Sequence, residues 1–325
     1  MKLIDRYGRK INYLRLSVTD RCNMRCRYCM PAHGVEKVTH DDVLSYEELY
    51  RISQAAVTTG IEKIRVTGGE PLVRKGIVPF LERLSRIDGL KQLVLTTNGL
   101  MLDEMAYDLK QAGVKHLNVS LDSLNANTFA EVTRGANLVK VLAGLAAAER
   151  VGLPVKLNMV VMRGVNDHEI ERFAELTRDK PLAVRFIEYM PALKEPGWQK
   201  LSLSGHEVLE RLGERYRLDA VDRHELAGPA CEYRIPGAKG TIGVITPITG
   251  HFCKSCNRIR VTSTGKARSC LFSEKGVDLK PILDSEDQLA LQGALRTVVT
   301  LKPDMHNVSV DQCDHTAFAM SNIGG

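Results

Sequence analysis

Over its first 190 or so residues the chain alternates short apolar runs with longer amphipathic ones. Asn12–Val18 alternates apolar and polar positions, the period-2 mark of a strand. Lys63–Thr67, Leu93–Thr97, His116–Ser120, Val155–Val161 and Ala183–Glu188 are further strand-length runs. Helical periods lie between them. A capping box formed by Ser45 and Glu48 opens one that stops at Gly60. Others cover Ile77–Arg86, Asp103–Ala112 with Gly113 as its stop, and an Ala/Leu-rich run from about Leu138 to Val151; a further one begins near Asp167. Strands alternating with helices predict a parallel sheet with helices outside it. Six strands are too few to close an eight-unit barrel. The expectation is an α/β fold, a partial (βα)6 TIM-like barrel that is curved and open.

Past Pro191 the rhythm changes. Pro196-Gly197-Trp198 reads as a surface loop and Gly205–Leu212 as a helix. Short strand-like pieces follow at Tyr216–Val221, Tyr233–Ile235, Gly243–Ile245, Ile259–Val261 and Ala267–Leu271, with a hairpin-like turn at Thr264-Gly265. These predict a smaller, partly antiparallel C-terminal extension across the open side of the barrel. The expected division is a core over residues 1–225 and an extension over 226–325. The last twenty residues show no clear periodicity.

Composition adds compartment and chemistry. The 325 residues are 44% hydrophobic and 26% charged, an ordinary globular balance. No apolar run reaches the roughly 18 residues of a membrane span, and the first residues carry no apolar signal segment. Eight cysteines in such a chain point to metal or redox chemistry in a reducing compartment, the cytoplasm, rather than to disulfides. The net charge of +6 favours an anionic ligand without demanding nucleic acid.

Cys22, Cys26 and Cys29 form a C-x3-C-x2-C triplet directly after the first strand. A closed zinc site takes four ligands and a fully ligated cubane four cysteines, so three thiols leave one metal position open. The spacing, with Tyr28 before the last cysteine, resembles the signature of the radical S-adenosylmethionine (SAM) superfamily. Other unusual residues fall at strand ends too: Gly68-Gly69-Glu70-Pro71, Thr97-Asn98-Gly99, Ser120-Leu121-Asp122 and Glu188-Tyr189-Met190-Pro191. Ligands bind at the carboxyl ends of strands in such folds, so one rim is expected to hold the site. The glycine pair would permit positive φ and close approach of a ligand; an ordinary turn is the alternative. Ser120 and Asp122 read equally as helix caps.

A second trio is Cys253, Cys256 and Cys270. With His251 nearby, its spacing also fits a Cys3His zinc site. From His251 to Ser273 there are five cations, Lys254, Arg258, Arg260, Lys266 and Arg268, and no carboxylate. Arg258 and Arg260 lie two apart on a strand and share a face, which suits phosphate or purine recognition. Arg15, Arg65, Lys156 and Arg185 sit inside strands of a buried sheet, where charge is costly unless it meets an anion. A polyanionic substrate inside the barrel accounts for all four. Cys231 and Cys313 read as incidental thiols.

Together the N-terminal triplet, the C-x2-C-N-R-x-R run with Cys270 after it, and the terminal Gly324-Gly325 resemble the GTP 3',8-cyclase family, molybdenum cofactor biosynthesis protein A, over essentially the whole chain. The resemblance implies that Cys22, Cys26 and Cys29 hold a [4Fe–4S] cluster that binds SAM. It implies that Cys253, Cys256 and Cys270 hold a second one that meets guanine. Tyr28, Gly69, Ser120 and Met190 then match SAM contacts. Arg15, Arg65, Thr96, Lys156, Arg185, Arg258 and Arg260 match GTP contacts. Arg15, Gly324 and Gly325 match catalytic positions, the glycine tail reaching into the site; plain disorder is the alternative for that tail.

The implied reaction splits SAM to a 5'-deoxyadenosyl radical that takes hydrogen from C3' of GTP. C3' then bonds to C8, giving (8S)-3',8-cyclo-7,8-dihydroguanosine 5'-triphosphate for molybdenum cofactor synthesis. Implied partners are an electron donor and, next in the pathway, cyclic pyranopterin monophosphate synthase; a homodimer is open. Another two-cluster radical SAM enzyme acting on peptide or tRNA, and a non-enzymatic metal-binding sensor, remain as alternatives.

Overall fold

In the computed structural model, which describes all residues except 1, 37, 224, 286, 310–316 and 325, strands and helices alternate from the N-terminus. They run β1 (Tyr13–Ser17), α1 (Tyr46–Thr59), β2 (Lys63–Thr67), α2 (Ile77–Ser85), β3 (Gln92–Thr97), α3 (Leu102–Gln111), β4 (His116–Ser120), α4 (Ala126–Thr133), α5 (Leu138–Arg150), β5 (Val155–Val161), α6 (Ile170–Asp179) and β6 (Ala183–Glu188). The C-terminal part adds α7 (Trp198–Leu201), α8 (Gly205–Gly213), β7 (Asp219–Val221), β8 (Cys231–Arg234), β9 (Thr241–Ile245), β10 (Arg258–Val261), β11 (Lys266–Arg268), β12 (Gly276–Asp278), α9 (Lys280–Asp284), α10 (Gln288–Thr300) and α11 (Met320–Ile323). The capping box on α1 is present in full, and Gly60 closes that helix in the left-handed region at φ 114°.

One twelve-stranded sheet results, in the order β12-β11-β10-β1-β2-β3-β4-β5-β6-β9-β8-β7. From β10 to β9 every neighbouring pair is parallel. The six strands expected from sequence are thus extended on both edges by C-terminal strands. Beyond β10 and β9 the pairs β10–β11, β11–β12, β9–β8 and β8–β7 turn antiparallel. Among the described residues β9 and β10 do not pair, so the sheet stays open.

The two faces of the strands have opposite chemistry. Leu14 and Leu16, Ile64 and Val66, Leu93 and Leu95, Leu117 and Val119, and Val184 and Phe186 are buried in the main core beneath the helices. The alternating positions point the other way: Tyr13, Arg15 and Ser17; Lys63, Arg65 and Thr67; Asn118 and Ser120; Lys156 and Asn158; Arg185. A closed barrel of this kind packs branched aliphatic side chains inside. Here the inner face is cationic and polar, and it encloses a cavity.

Candidate active site

Strand register sets the cations in rows. Arg65, Arg15 and Arg260 are direct partners across β2, β1 and β10, and one step below lie Lys63, Tyr13 and Arg258. On the other side Asn118 stands opposite Lys156, and Asn158 opposite Arg185. The cavity holds about 1430 Å³ of atom-free space, part of it open to solvent. Its walls bring together Arg15, Tyr28, Arg65, Thr96, Ser120, Arg185, Met190, Cys253, Cys256, Arg258, Arg260 and Cys270. Those residues come from positions 15 to 270 of the chain, so all these strand ends curl around one space.

The cations are only partly neutralised. Burial, then the charges of Arg260 and Arg65, holds the Arg15 guanidinium well below its usual range. Burial and Arg258 bring Arg260 down to about 10, and burial and Arg65 bring Lys63 to about 7. Lys156 falls to about 8 through burial and the charge of Arg185. The carboxylate that reaches this set is Glu232 on β8, 2.7 Å from Arg185. Arg15 Nε, Arg65 Nε, Arg185 Nε, Thr96 Oγ1 and Asn158 Oδ1 are buried without a hydrogen-bond partner. Orphaned polar atoms of this kind are rare in a folded chain unless a ligand satisfies them. Lys63, whose ammonium donates to Leu226 O at 2.9 Å, and the orphaned Asn158 share this inner face although sequence reading passed over them. Both sit two residues from a named position, so period-2 counting from Arg65 and Lys156 would have found them.

The first thiol trio lies at the rim. The β1–β2 pairing continues past the strand ends as Val18 N to Thr67 O at 2.9 Å, Gly69 N to Thr19 O at 2.7 Å and Glu70 N to Arg21 O at 2.8 Å. Gly68 and Gly69 do not take positive φ. Their role differs from the sequence expectation: a Cβ on Gly69 would lie 2.3 Å from Arg21 O, so the missing side chain admits the cysteine loop's own backbone.

Buried Glu70 accepts from Leu72 N at 3.0 Å, Thr97 Oγ1 at 2.8 Å and Asn98 N at 2.7 Å. Burial still pushes its carboxyl up to about 7. Asn98 Nδ2 donates in turn to Asn23 Oδ1 at 2.7 Å and approaches Cys22 Sγ at 3.9 Å. The loop's far side rests on the C-terminus of α4, with Arg27 N donating to Val132 O at 2.9 Å and Arg134 Nη1 to Arg25 O and Met30 O.

Burial and nearby charge raise the thiols of Cys22, Cys26 and Cys29, that of Cys29 to about 12. Tyr28 donates its hydroxyl to Asp122 Oδ2 at 2.8 Å, and Val160 N donates to Asp122 Oδ1 at 2.9 Å. Burial lifts Asp122 to about 6.

The second trio stands across the cavity. Arg9, paired with Asp5 at 2.5 Å, donates to the carbonyls of Cys253, Pro303 and Asp304 at 2.7–2.9 Å. Burial raises the Cys256 thiol, but the cations Arg258 and Lys302 outweigh it and bring the group down to about 6. His251, Cys253 and His306 bring one ligand atom each within 4.8 Å of one another, and His251 sits at φ 28° with Nδ1 buried and unpartnered.

The described end of the C-terminal tail runs from the first trio to the arginine row. Met320 N donates to Cys29 O at 3.0 Å, and the amides of Met320 and Ser321 face the Cys29 sulfur. Gly324, at φ 75°, leaves room for only 3.0 Å between a Cβ and Ser17 and 3.2 Å to Thr67. Its carbonyl accepts from Arg260 Nη1 at 3.5 Å. Gly325 lies outside the described residues. Gly69, Lys156 and the first cysteines are not on the cavity wall itself. Cys231, exposed on β8, belongs to neither trio.

A family model described as the radical SAM superfamily matches residues 16–177, and one described as Molybdenum Cofactor Synthesis C matches residues 182–308. A protein of Geobacter sulfurreducens named GTP 3',8-cyclase is 61% identical over 100% of both chains. One of the same name from Alkaliphilus oremlandii is 45% identical over 99% of both. The SAM-bound crystal structure of Streptococcus suis SuiB shares the fold at a TM-score of 0.61 and 15% identity, covering 90% of this chain and 69% of that one.

Proposed function

The chain belongs to the GTP 3',8-cyclase family of radical SAM enzymes, and from that membership we propose that it cyclises GTP between C3' and C8 with SAM as cosubstrate. SAM and an iron–sulfur cluster are the family's requirements. In this reading Cys22, Cys26 and Cys29 hold the SAM-binding cluster and Cys253, Cys256 and Cys270 hold a second [4Fe–4S] cluster. The chemistry of the donors fits both groups. Each set offers three thiols, backbone N–H groups face the sulfurs of Cys22 and Cys29, and cations face Cys256. Such donors stabilise thiolates, the form that binds metal. When bound, the first cluster supplies the electron that breaks the sulfonium bond of SAM.

The remaining work falls to the chain. Tyr28, Ser120 and Met190 line the wall nearest the first trio and hold SAM, with Gly69 closing the loop beneath. Tyr28 is itself fixed by Asp122. Arg15, Arg65, Lys156, Arg185, Arg258 and Arg260 receive the triphosphate and guanine, Lys63 adds a charge at the level of Tyr13 and Arg258, and Thr96 Oγ1 offers a hydrogen bond. Charge-assisted bonds from fixed guanidinium groups orient such a ligand firmly. Arg15, partner to both Arg65 and Arg260, lies at the centre of the row. Gly324 carries the tail to Arg260, and Gly325 shares its catalytic role in this reading. Thr96, Asn158 and the tail exclude water from the radical's path.

The observation that carries this reading is a single cationic cavity with a thiol trio at its rim, another in its wall, and orphaned donors between. An external one-electron donor and a following cyclic pyranopterin monophosphate synthase complete the reading, with the cytoplasm as its compartment. No described helix is long and apolar enough to cross a membrane.

The test is anaerobic turnover of reduced enzyme with SAM and GTP deuterated at C3'. Deuterium is expected in 5'-deoxyadenosine together with a cyclised nucleotide. Unlabelled 5'-deoxyadenosine with GTP left intact would refute the reading. A second reading, one mononuclear ion such as zinc at the C-terminal site, is favoured by the His251, Cys253 and His306 grouping. Metal analysis separates them: two clusters' worth of iron supports the first, one cluster's worth plus a zinc ion the second.

A further inference from the structure

The loop bearing the second trio opens where a strand pair ends. β10 and β11 are joined through Arg260 opposite Arg268 and Val261 opposite Ala267. Past that ladder one arm runs back through Arg258 to Cys256 and the other forward through Ser269 to Cys270. The ammonium of Lys302 sits in the fork, donating to Arg258 O at 2.8 Å and to Ser269 O at 2.8 Å. Its backbone follows directly on α10, where Ser269 Oγ also donates to Leu301 O at 3.2 Å. Lys302 thus fixes the distance between two of the three cysteine arms.

Its charge is equally telling. Lys302 is only 2% exposed, and among the described residues it forms no ion pair with a carboxylate, whereas the buried Arg9 has Asp5. A buried cation without a counter-charge is costly. Two backbone carbonyls supply dipoles but no charge. Its ammonium is within hydrogen-bonding reach of the Cys256 thiol and acts by charge on that of Cys253. Lys302 is not on the cavity wall, so it approaches the trio from behind and does not face the substrate, unlike Arg258 and Arg260.

We propose that Lys302 is a positioning residue for the second metal group: it braces the arms of Cys256 and Cys270 and supplies the buried counter-charge for the thiolate-ligated cluster. The proposal rests on the reading that this trio carries an iron–sulfur cluster. Lys302→Met keeps the length and apolar stem but removes both the brace and the charge, while Lys302→Gln removes the charge and keeps donors.

The experiment reconstitutes wild type and both variants anaerobically. It measures iron per chain, the reduced-cluster electron paramagnetic resonance with and without SAM, and the midpoint potential of the second cluster. Wild type should hold two clusters. Lys302→Met should lose about half of the iron while the SAM-sensitive signal of the first cluster persists, which also reports an intact barrel. Lys302→Gln should keep a second cluster at a lower potential, because a cation beside it favours the reduced form. Should Lys302→Met not fold, the potential in Lys302→Gln decides. Two clusters in both variants at the wild-type potential would overturn the proposal alone. A single cluster in wild type would overturn the two-cluster reading, and this inference with it.

Discussion

Gly69→Ala tests how the rim is built. A Cβ there would stand 2.3 Å from Arg21 O, 2.6 Å from Arg21 C and 2.6 Å from Asp20 O. Carbon and carbonyl oxygen ordinarily meet at roughly 3.3 Å, so the two loops must separate by about 1 Å. Every obstructing atom is backbone and none can rotate aside. Separation breaks Gly69 N to Thr19 O and Glu70 N to Arg21 O. Each such bond contributes about 0.5–1.5 kcal/mol net, and overpacking adds about 1–3 kcal/mol. The expected loss is therefore about 2–6 kcal/mol, concentrated on the residue that precedes Cys22. Iron retained after anaerobic desalting and the melting temperature are the readouts, and both should fall. Gly293→Ala is the control. Its Cβ would meet nothing within 4 Å, inside α10, and replacing an exposed helical glycine should stabilise by about 1 kcal/mol. Gly69→Ala with wild-type iron and an unchanged melting temperature would refute the steric account.

Arg258→Ala should leave the iron content and SAM-dependent signal intact and weaken GTP binding about 10- to 100-fold, the loss of about 1.5–3 kcal/mol for a charged hydrogen bond; calorimetry measures it. Deleting Gly324 and Gly325 removes the contact with Arg260, and should abolish the cyclised nucleotide while GTP and SAM still bind; product analysis by mass spectrometry decides. Asp122 has a folded pKa of about 6 against an ordinary 3.8, so the folded state holds its proton more tightly. Its contribution is greatest below pH 3.8 and declines as pH rises to about 6, by about 3 kcal/mol at 1.36 kcal/mol per unit. Asp122→Asn keeps an acceptor for Val160 N and lacks that slope. Its urea stability relative to wild type should rise between pH 4 and pH 6.5 and level off above; a constant difference would contradict the burial argument.

The barrel strands and most of their helices were legible because each carries its own period and stops. Ser45, Gly60 and Gly113 mark boundaries by local chemistry alone. The short α4 was passed over, since eight residues between two loops carry little periodic signal, yet Val132 and Thr133 at its end hold the cysteine loop. α10 was also missed, although Asp287 caps it. What it does for the site depends on Lys302, whose partners lie 33 and 44 residues away in the chain. Arg9 likewise acts across 244 residues on Cys253. Such braces leave no spacing to read. Gly68 and Gly69 show a subtler limit: the need for small residues was visible, but whether a ligand or the chain itself filled the space was not.

The open sheet accommodates the same charges that identify the cavity. Neighbouring parallel strands lie roughly 4.8 Å apart, and Arg65, Arg15 and Arg260 occupy adjacent strands at one level. At an effective dielectric of about 20, two unit charges about 5 Å apart repel by about 3 kcal/mol. Repulsion within the row thus opposes folding, and it helps hold the Arg15 guanidinium well below its usual range. An open sheet, with short antiparallel pairs on both edges, spreads the cations around a solvent-connected cavity where a polyanion can cancel them. A polyanion bound there, as the proposed triphosphate would be, would offset the repulsion within this row.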